Sequence, residues 1–196
     1  MKIFLLAMMA LLVLGVSASA QDKKPAGPVT LKLIAKTDKY KFDGGGKTPK
    51  EYKAELERIA KLIADGKEAE PPKPLTVDFV LQLTNTSKEE VTIYVGGDSN
   101  VHTFELTGEP GVVTMRNPVA FTADFRLPKA VTLAPGKSHD IPVKQFSDGM
   151  RGISRLIFWT GPGDYKLVAK YALADKDGGK GTELTSEPVK ITVTEK

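Results

Sequence analysis

The chain has 196 residues with two histidines and no cysteine, so chemistry that needs an imidazole is confined to His102 and His139, and thiolate chemistry is absent. His102 closes the stretch "GGDSNVH", where Asp98, Ser99 and Asn100 bring oxygens close in sequence to one ring nitrogen. A divalent metal needs three or more such ligands converging, and this spacing matches neither an EF-hand loop nor a zinc pattern. A turn accounts for the same letters: Gly96 and Gly97 supply positive φ, and Asp98 and Asn100 make local turn hydrogen bonds. His139, in "KSHDIP", has only Asp140 beside it. No serine is framed by G-x-S-x-G. The acids gather in turns and in a helical segment, and no two are singled out as a glycosidase pair. No catalytic residue, metal or cofactor is therefore assigned, and the chain reads as non-enzymatic.

Residues 43–52, "DGGGKTPKEY", pose the question of nucleotide binding, because glycines run into Lys47 and Thr48 ahead of a helix. A phosphate loop requires a first glycine five positions before the second, where it lets backbone N–H groups turn onto the phosphates. Lys41 stands there instead. The letters describe a helix start better: Thr48 as N-cap, Pro49 at the first helical position where its missing N–H is harmless, and Glu51 completing a capping box. Tyr52, Leu56, Ile59 and Ile63 then recur on one face, with Lys53, Glu57, Arg58 and Lys61 on the other. Gly66 is placed to end this helix, and the insertion is bounded at 48–66. The apolar stripe predicts packing on the chain's own domain more than presentation to a partner.

Aromatic residues are the remaining candidates. Phe158, Trp159 and Tyr165 flank the turn "TGPG", and an exposed Trp159 would stack on a sugar. Tyr165 in "GPGDYKL" instead has the placement of a tyrosine corner, a structural device. The candidate binding residues are thus Gly96, Gly97, Asp98, Asn100, His102 and Trp159.

Period-two alternation supplies the elements that must position them. "VTLKLIAK" places Leu31, Leu33 and Ala35 on one face. "LTVDFVLQLT" does the same with Val77, Phe79, Leu81 and Leu83, and after "NTSK" the residues Val91, Ile93 and Val95 read as its hairpin partner, making 75–95 one hairpin. Shorter strands are expected at 101–106, 112–116, 119–127 and 130–133. Beyond "LAPGKS" the alternation resumes at His139, Ile141 and Val143. A long strand carries Tyr165, Leu167, Ala169 and Tyr171, and the last carries Val189, Ile191 and Val193. Many short strands with frequent turns predict an all-β chain, an immunoglobulin-like antiparallel β-sandwich with one inserted α-helix, as a single domain over 29–196.

At the start, Lys2, the apolar run 3–16 and the small residues Ala18 and Ala20 predict a signal peptide over 1–20, followed by a flexible lead at 21–28. That run is too short to span a bilayer, so no membrane insertion is expected. The formal charge is +4, with lysines scattered among acids. A nucleic-acid partner would call for a basic stripe with interleaved aromatics, and none is expected.

The order "VLQLTNTSKEEVTIYVGG", "LAPGKS", "GPGDYKLVAKY" and "SEPVKITVTE" resembles uncharacterised immunoglobulin-like domains of exported bacterial proteins. Its layout is similar to that of the intracellular proteinase inhibitor family, which carries a TN-x-S turn, a PG-x-S turn and a late G-x-Y strand. The resemblance spans roughly residues 75–194 and implies the sandwich fold. The signal peptide and the 48–65 helix depart from the inhibitor layout, and no reactive loop transfers residue by residue. The resulting expectation is a secreted or periplasmic binding module for a protein or a cell-envelope component, with no stated oligomeric state. Its surface would be the loops at one end, including 96–102, or the face of the inserted helix. The alternatives are a proteinase inhibitor and a carbohydrate-binding module.

Overall fold

The computed structural model describes residues 27–118, 124–150 and 153–196. The expected leader at 1–20, all but the end of the lead at 21–28, and residues 119–123 of the strand expected at 119–127 lie outside the described residues. In chain order the elements are β1 (Val29–Ala35), β2 (Lys39–Phe42), α1 (Pro49–Ala64), β3 (Thr76–Asn85), β4 (Val91–Val95), β5 (His102–Gly108) and β6 (Val112–Arg116). There follow β7 (Lys129–Leu133), β8 (Ser138–Gln145), β9 (Ser147–Asp148), β10 (Arg155–Trp159), β11 (Gly163–Ala174), β12 (Lys180–Thr185) and β13 (Val189–Glu195).

The chain folds as an antiparallel, immunoglobulin-like β-sandwich with one helix among the described residues. One sheet is organised around β11, whose Gly163–Leu167 half pairs with β13 while its Lys170–Ala174 half pairs with β12. The opposite edge of β11 takes β5 and then the end of β4, which in turn carries β7. The facing sheet has the order β1-β3-β8. It passes into a third, β6-β10-β9, through Phe146, whose N–H donates to the Leu75 carbonyl at 2.8 Å and whose carbonyl accepts from Ile157 N–H at 3.0 Å. The one parallel pairing among the described residues is β2 on β13.

Alternation explains the main core. Leu31, Leu33, Val77, Phe79, Leu81 and Leu83 turn inward from one sheet, and Phe104, Leu106, Leu167, Ala169, Ile191 and Val193 from the other. Each fully buried Leu or Phe stabilises the fold by about 1.5–3 kcal/mol over its exposed state. Edge-on ring contacts of Phe79 with Phe104 at 6.1 Å and with Phe146 at 5.7 Å give the centre its geometry.

The expected hairpin over 75–95 does not form. β3 pairs with β1 and β8, whereas β4 pairs with β7 and β11, so the chain arches from one sheet to the other. The reason is Asn85, which is fully buried. Its amide donates to the carbonyls of Glu89 at 2.7 Å and Leu133 at 2.8 Å, and its side-chain oxygen accepts from Ser87 N–H at 2.9 Å. These bonds satisfy the backbone of a wide arch, whereas a tight hairpin would have to close through its own ladder.

The helix start behaves as expected. Thr48 accepts from Glu51 N–H, Glu51 accepts in return from Thr48 N–H at 2.9 Å, and Pro49 opens the helix. Gly66 follows at φ 70. The helix lies against β6, where Leu56 and Ile59 enclose a second core with Val113, Met115, Leu156 and Phe158. Consequently β10 is buried on both faces: Ile157 and Trp159 enter the sandwich, Leu156 and Phe158 meet the helix. Gly161 allows this docking, because a Cβ there would stand 2.8 Å from Pro49 Cβ and 2.7 Å from Pro110 Cγ. Tyr165 forms the corner expected of it, its hydroxyl donating to the Gly161 carbonyl at 2.8 Å.

Candidate functional site

Strand register brings one set of loops together at a single end of the sandwich. Tyr94 pairs with Ala174, His102 with Tyr171, Lys129 with Val95, and Arg155 with both Arg116 and Asp148. The segments 96–101, 124–128 and 175–179, with residues 149–150 and 153–154, therefore emerge side by side. Among the described residues the exposed large apolar side chains are Phe125 at 54%, Leu127 at 61% and Ile153 at 68%, and all three belong to this end.

Five of the six candidate residues build this end rather than line a ligand cavity. Gly96 has φ 76, as a turn requires. The positive φ expected of Gly97 is not found. It is glycine for close approach, since a Cβ would stand 2.6 Å from Pro128 N. Asn100 is spent internally: its side-chain oxygen accepts from Gly97 N–H at 2.9 Å and its amide donates to the Tyr94 carbonyl at 2.9 Å. Asp98 is the anchor of the group. Its side chain is 1% exposed and accepts from Arg126 N–H at 2.8 Å, Arg126 Nε at 2.9 Å and Arg126 Nη2 at 2.8 Å. Asp98 N–H also donates to the Arg126 carbonyl at 3.0 Å, so the backbone of residues 124–128 is held from both sides.

That clasp positions the exposed apolar pair. Residues 125 and 127 flank the pinned Arg126, and both side chains approach Gly178, whose would-be Cβ lies 3.0 Å from Phe125 and 3.3 Å from Leu127. Ser99 donates its hydroxyl to the Gly178 carbonyl, tying the 175–179 turn to the same frame. The turn is itself braced by Asp175, which accepts from Asp177 N–H at 2.9 Å and Gly179 N–H at 2.7 Å. The strand expected to reach residue 127 does not form over 124–127, which carry no strand assignment. Pro128 denies that segment a ladder donor at its end.

His102 lies beneath these loops, edge-on to Phe104 at 5.3 Å, with Nε2–H donating to the Ser147 carbonyl at 3.2 Å. Burial holds its pKa below the usual imidazole value, outweighing the opposing pull of the Ser147 carbonyl and the Asp148 charge. Asp148 next to it is fully enclosed. It accepts from Phe104 N–H at 2.8 Å, Arg155 Nε at 2.9 Å and Arg155 Nη2 at 2.7 Å, crosslinking β5 to β10. This pairing raises the Arg155 pKa still further.

Trp159 is not part of this end. It is 3% exposed, with its ring 5.1 Å from Tyr40 and 5.8 Å from Phe146, so no face is free to stack on a sugar. Alternation along β10 puts it in the sandwich core.

Phe125, Arg126 and Leu127 lie within the strand expected at 119–127, and the Asp148–Arg155 pair, seven positions apart, carries no motif. The available signal was Leu127 before Pro128, a dipeptide that favours an extended connection over a ladder. Among the described residues no three His, Asp or Glu side chains converge to hold a metal ion, and no helix is long and apolar enough to cross a membrane. No protein-family model matches the chain, and no curated protein matches it in sequence.

Proposed function

We propose that this chain is a non-enzymatic binding module, exported to the cell envelope or the medium, that engages a protein through the loop end of its sandwich. The observation that carries the reading is the grouping of Phe125, Leu127 and Ile153 at that one end. Exposed apolar side chains scattered singly are ordinary, but gathered on one rim they mark an interaction surface. Their support argues in the same direction. Enclosing the Asp98 carboxylate is costly unless its bonds are met, and those bonds hold in place the segment that carries Phe125 and Leu127. Export rests on the charged, apolar and small-residue pattern of positions 1–20.

Capture of partners from the producing cell's envelope extract, with the mature chain and a Phe125→Ser/Leu127→Ser double variant as parallel baits, tests this. Both baits should melt within a degree or two of each other, and the partner should be depleted at least tenfold on the variant. Identical capture by the two baits would refute the reading.

The proteinase-inhibitor alternative draws on the same segment, because residues 124–128 form an exposed loop whose Arg126 is held on both sides by Asp98. Incubation with a panel of serine and metalloproteases, read as residual activity, separates it: stoichiometric loss of activity supports it, and full activity at excess chain removes it.

A further inference from the structure

The β6–β10 pair ends on a juxtaposition that disfavours the fold as it stands. Arg116 and Arg155 are direct cross-strand partners. Like charges in that position repel. Arg155 is compensated, since two of its N–H groups bind the enclosed Asp148 carboxylate. Arg116 is not: among the described residues no carboxylate lies within ion-pair distance of it.

Arg116 and Arg155 line an open hollow of about 470 Å³, whose other described lining residues are Thr114, Met115 and Ile153. Arg116 has all five of its N–H donors to offer, Arg155 retains the three not used by Asp148, and the Thr114 hydroxyl adds another. The remaining wall is apolar, and Ile153 on it is 68% exposed.

We infer that this hollow binds a carboxylate carried on an apolar chain. Charge selects the head group. Asp148, Arg155 and Arg116 together leave one positive charge unbalanced, which a single carboxylate neutralises and a phosphate dianion overshoots. Arginine is suited to this because its planar fork pairs with both carboxylate oxygens. Shape and polarity select the tail, since Ile153 is 68% exposed and gains only from an apolar neighbour. Two sources share this chemistry, a fatty acid and the C-terminus of a peptide ending in an apolar residue. The hollow shares Ile153 with the proposed protein-binding end, but its Arg116 and Arg155 contacts do not depend on whether Phe125 and Leu127 engage a protein.

Amide NMR titration of the mature chain at fixed ionic strength tests the inference, with acetate, hexanoate, N-acetyl-leucine and inorganic phosphate as probes. Saturating shifts are expected at residues 114–116 and 153–155, with hexanoate or N-acetyl-leucine at least tenfold tighter than acetate, consistent with partial burial of a few methylene groups. Hexanoate ahead of N-acetyl-leucine identifies the fatty-acid source, and the reverse order the peptide C-terminus. Arg116→Gln, at an exposed position, should leave the rest of the spectrum and the melting temperature in place and weaken binding at least tenfold. Shifts that fail to saturate, that are as large for phosphate or acetate as for hexanoate, or that persist in Arg116→Gln would overturn the assignment.

Discussion

Replacing Asp98 by Asn keeps the volume of the side chain and converts one of its two acceptors into a donor. The carboxylate is 1% exposed and serves one backbone N–H and two guanidinium N–H groups of Arg126. The guanidinium contribution is small, because the Arg126 side chain is 77% exposed and recovers its hydration. The backbone contribution is larger: either Arg126 N–H or the guanidinium must now face an NH2 group, and a buried donor left unmet costs about 1–3 kcal/mol. A net loss of about 2 kcal/mol follows, equivalent to roughly a 30-fold rise in local opening. Amide exchange at Phe125, Arg126 and Leu127 should accelerate by that factor. Exchange at core positions such as Leu81 and Leu167 should change far less, because the bonds lost belong to the rim. If exchange at Arg126 is unchanged, or if rim and core accelerate together, Asp98 does not act as a local clasp and the argument for a held apolar rim fails.

Leu56, fully buried in the second core, should cost about 2–5 kcal/mol when cut to Ala, read as a shift of the urea midpoint. An unshifted midpoint would mean that the helix adds nothing to the fold. The lowered pKa of His102 gives a pH dependence whose sign is fixed: the unfolded chain takes up the proton first, so stability is undiminished above about pH 6.5 and falls as the pH drops through that value towards the folded pKa. The slope is at most about 1.4 kcal/mol per pH unit for one proton. Melting temperatures recorded between pH 7.5 and 5 should decline in the parent and stay flat over that window in His102→Gln. Parallel declines would remove His102 as the cause.

Strand alternation made the sheets legible because each inward residue on β3, β11 and β13 faces one continuous core. The helix start was legible for a different reason, since the capping box is a local device whose partners lie three residues apart. What escaped were the features fixed by distant partners. Asn85 looks like a turn residue, and only its bond to Leu133, 48 positions away, makes the following turn an arch between sheets. Asp98 reads as a turn acid until Arg126 is seen to pair with it. Trp159 carries the composition of a sugar platform and is buried because β10 has neighbours on both faces, one of them an inserted helix that alternation along the strand does not reveal. The rim formed by Phe125 and Leu127 was hidden inside an apolar stretch that resembled a strand.

The double burial of β10 makes α1 a safeguard against self-association. The run "LIFWT" has strong strand preference, no charge and no proline, the composition of a segment that stacks with copies of itself. Among the described residues its neighbour β6 has a ladder partner on one side only, which makes it the edge strand of its sheet. With the helix in place, Val113, Met115, Leu156 and Phe158 are sealed. Proteolysis at the Gly44–Gly46 turn followed by loss of the helix would leave a sticky face beside an open edge. A shortened version lacking the insertion would therefore be expected to precipitate.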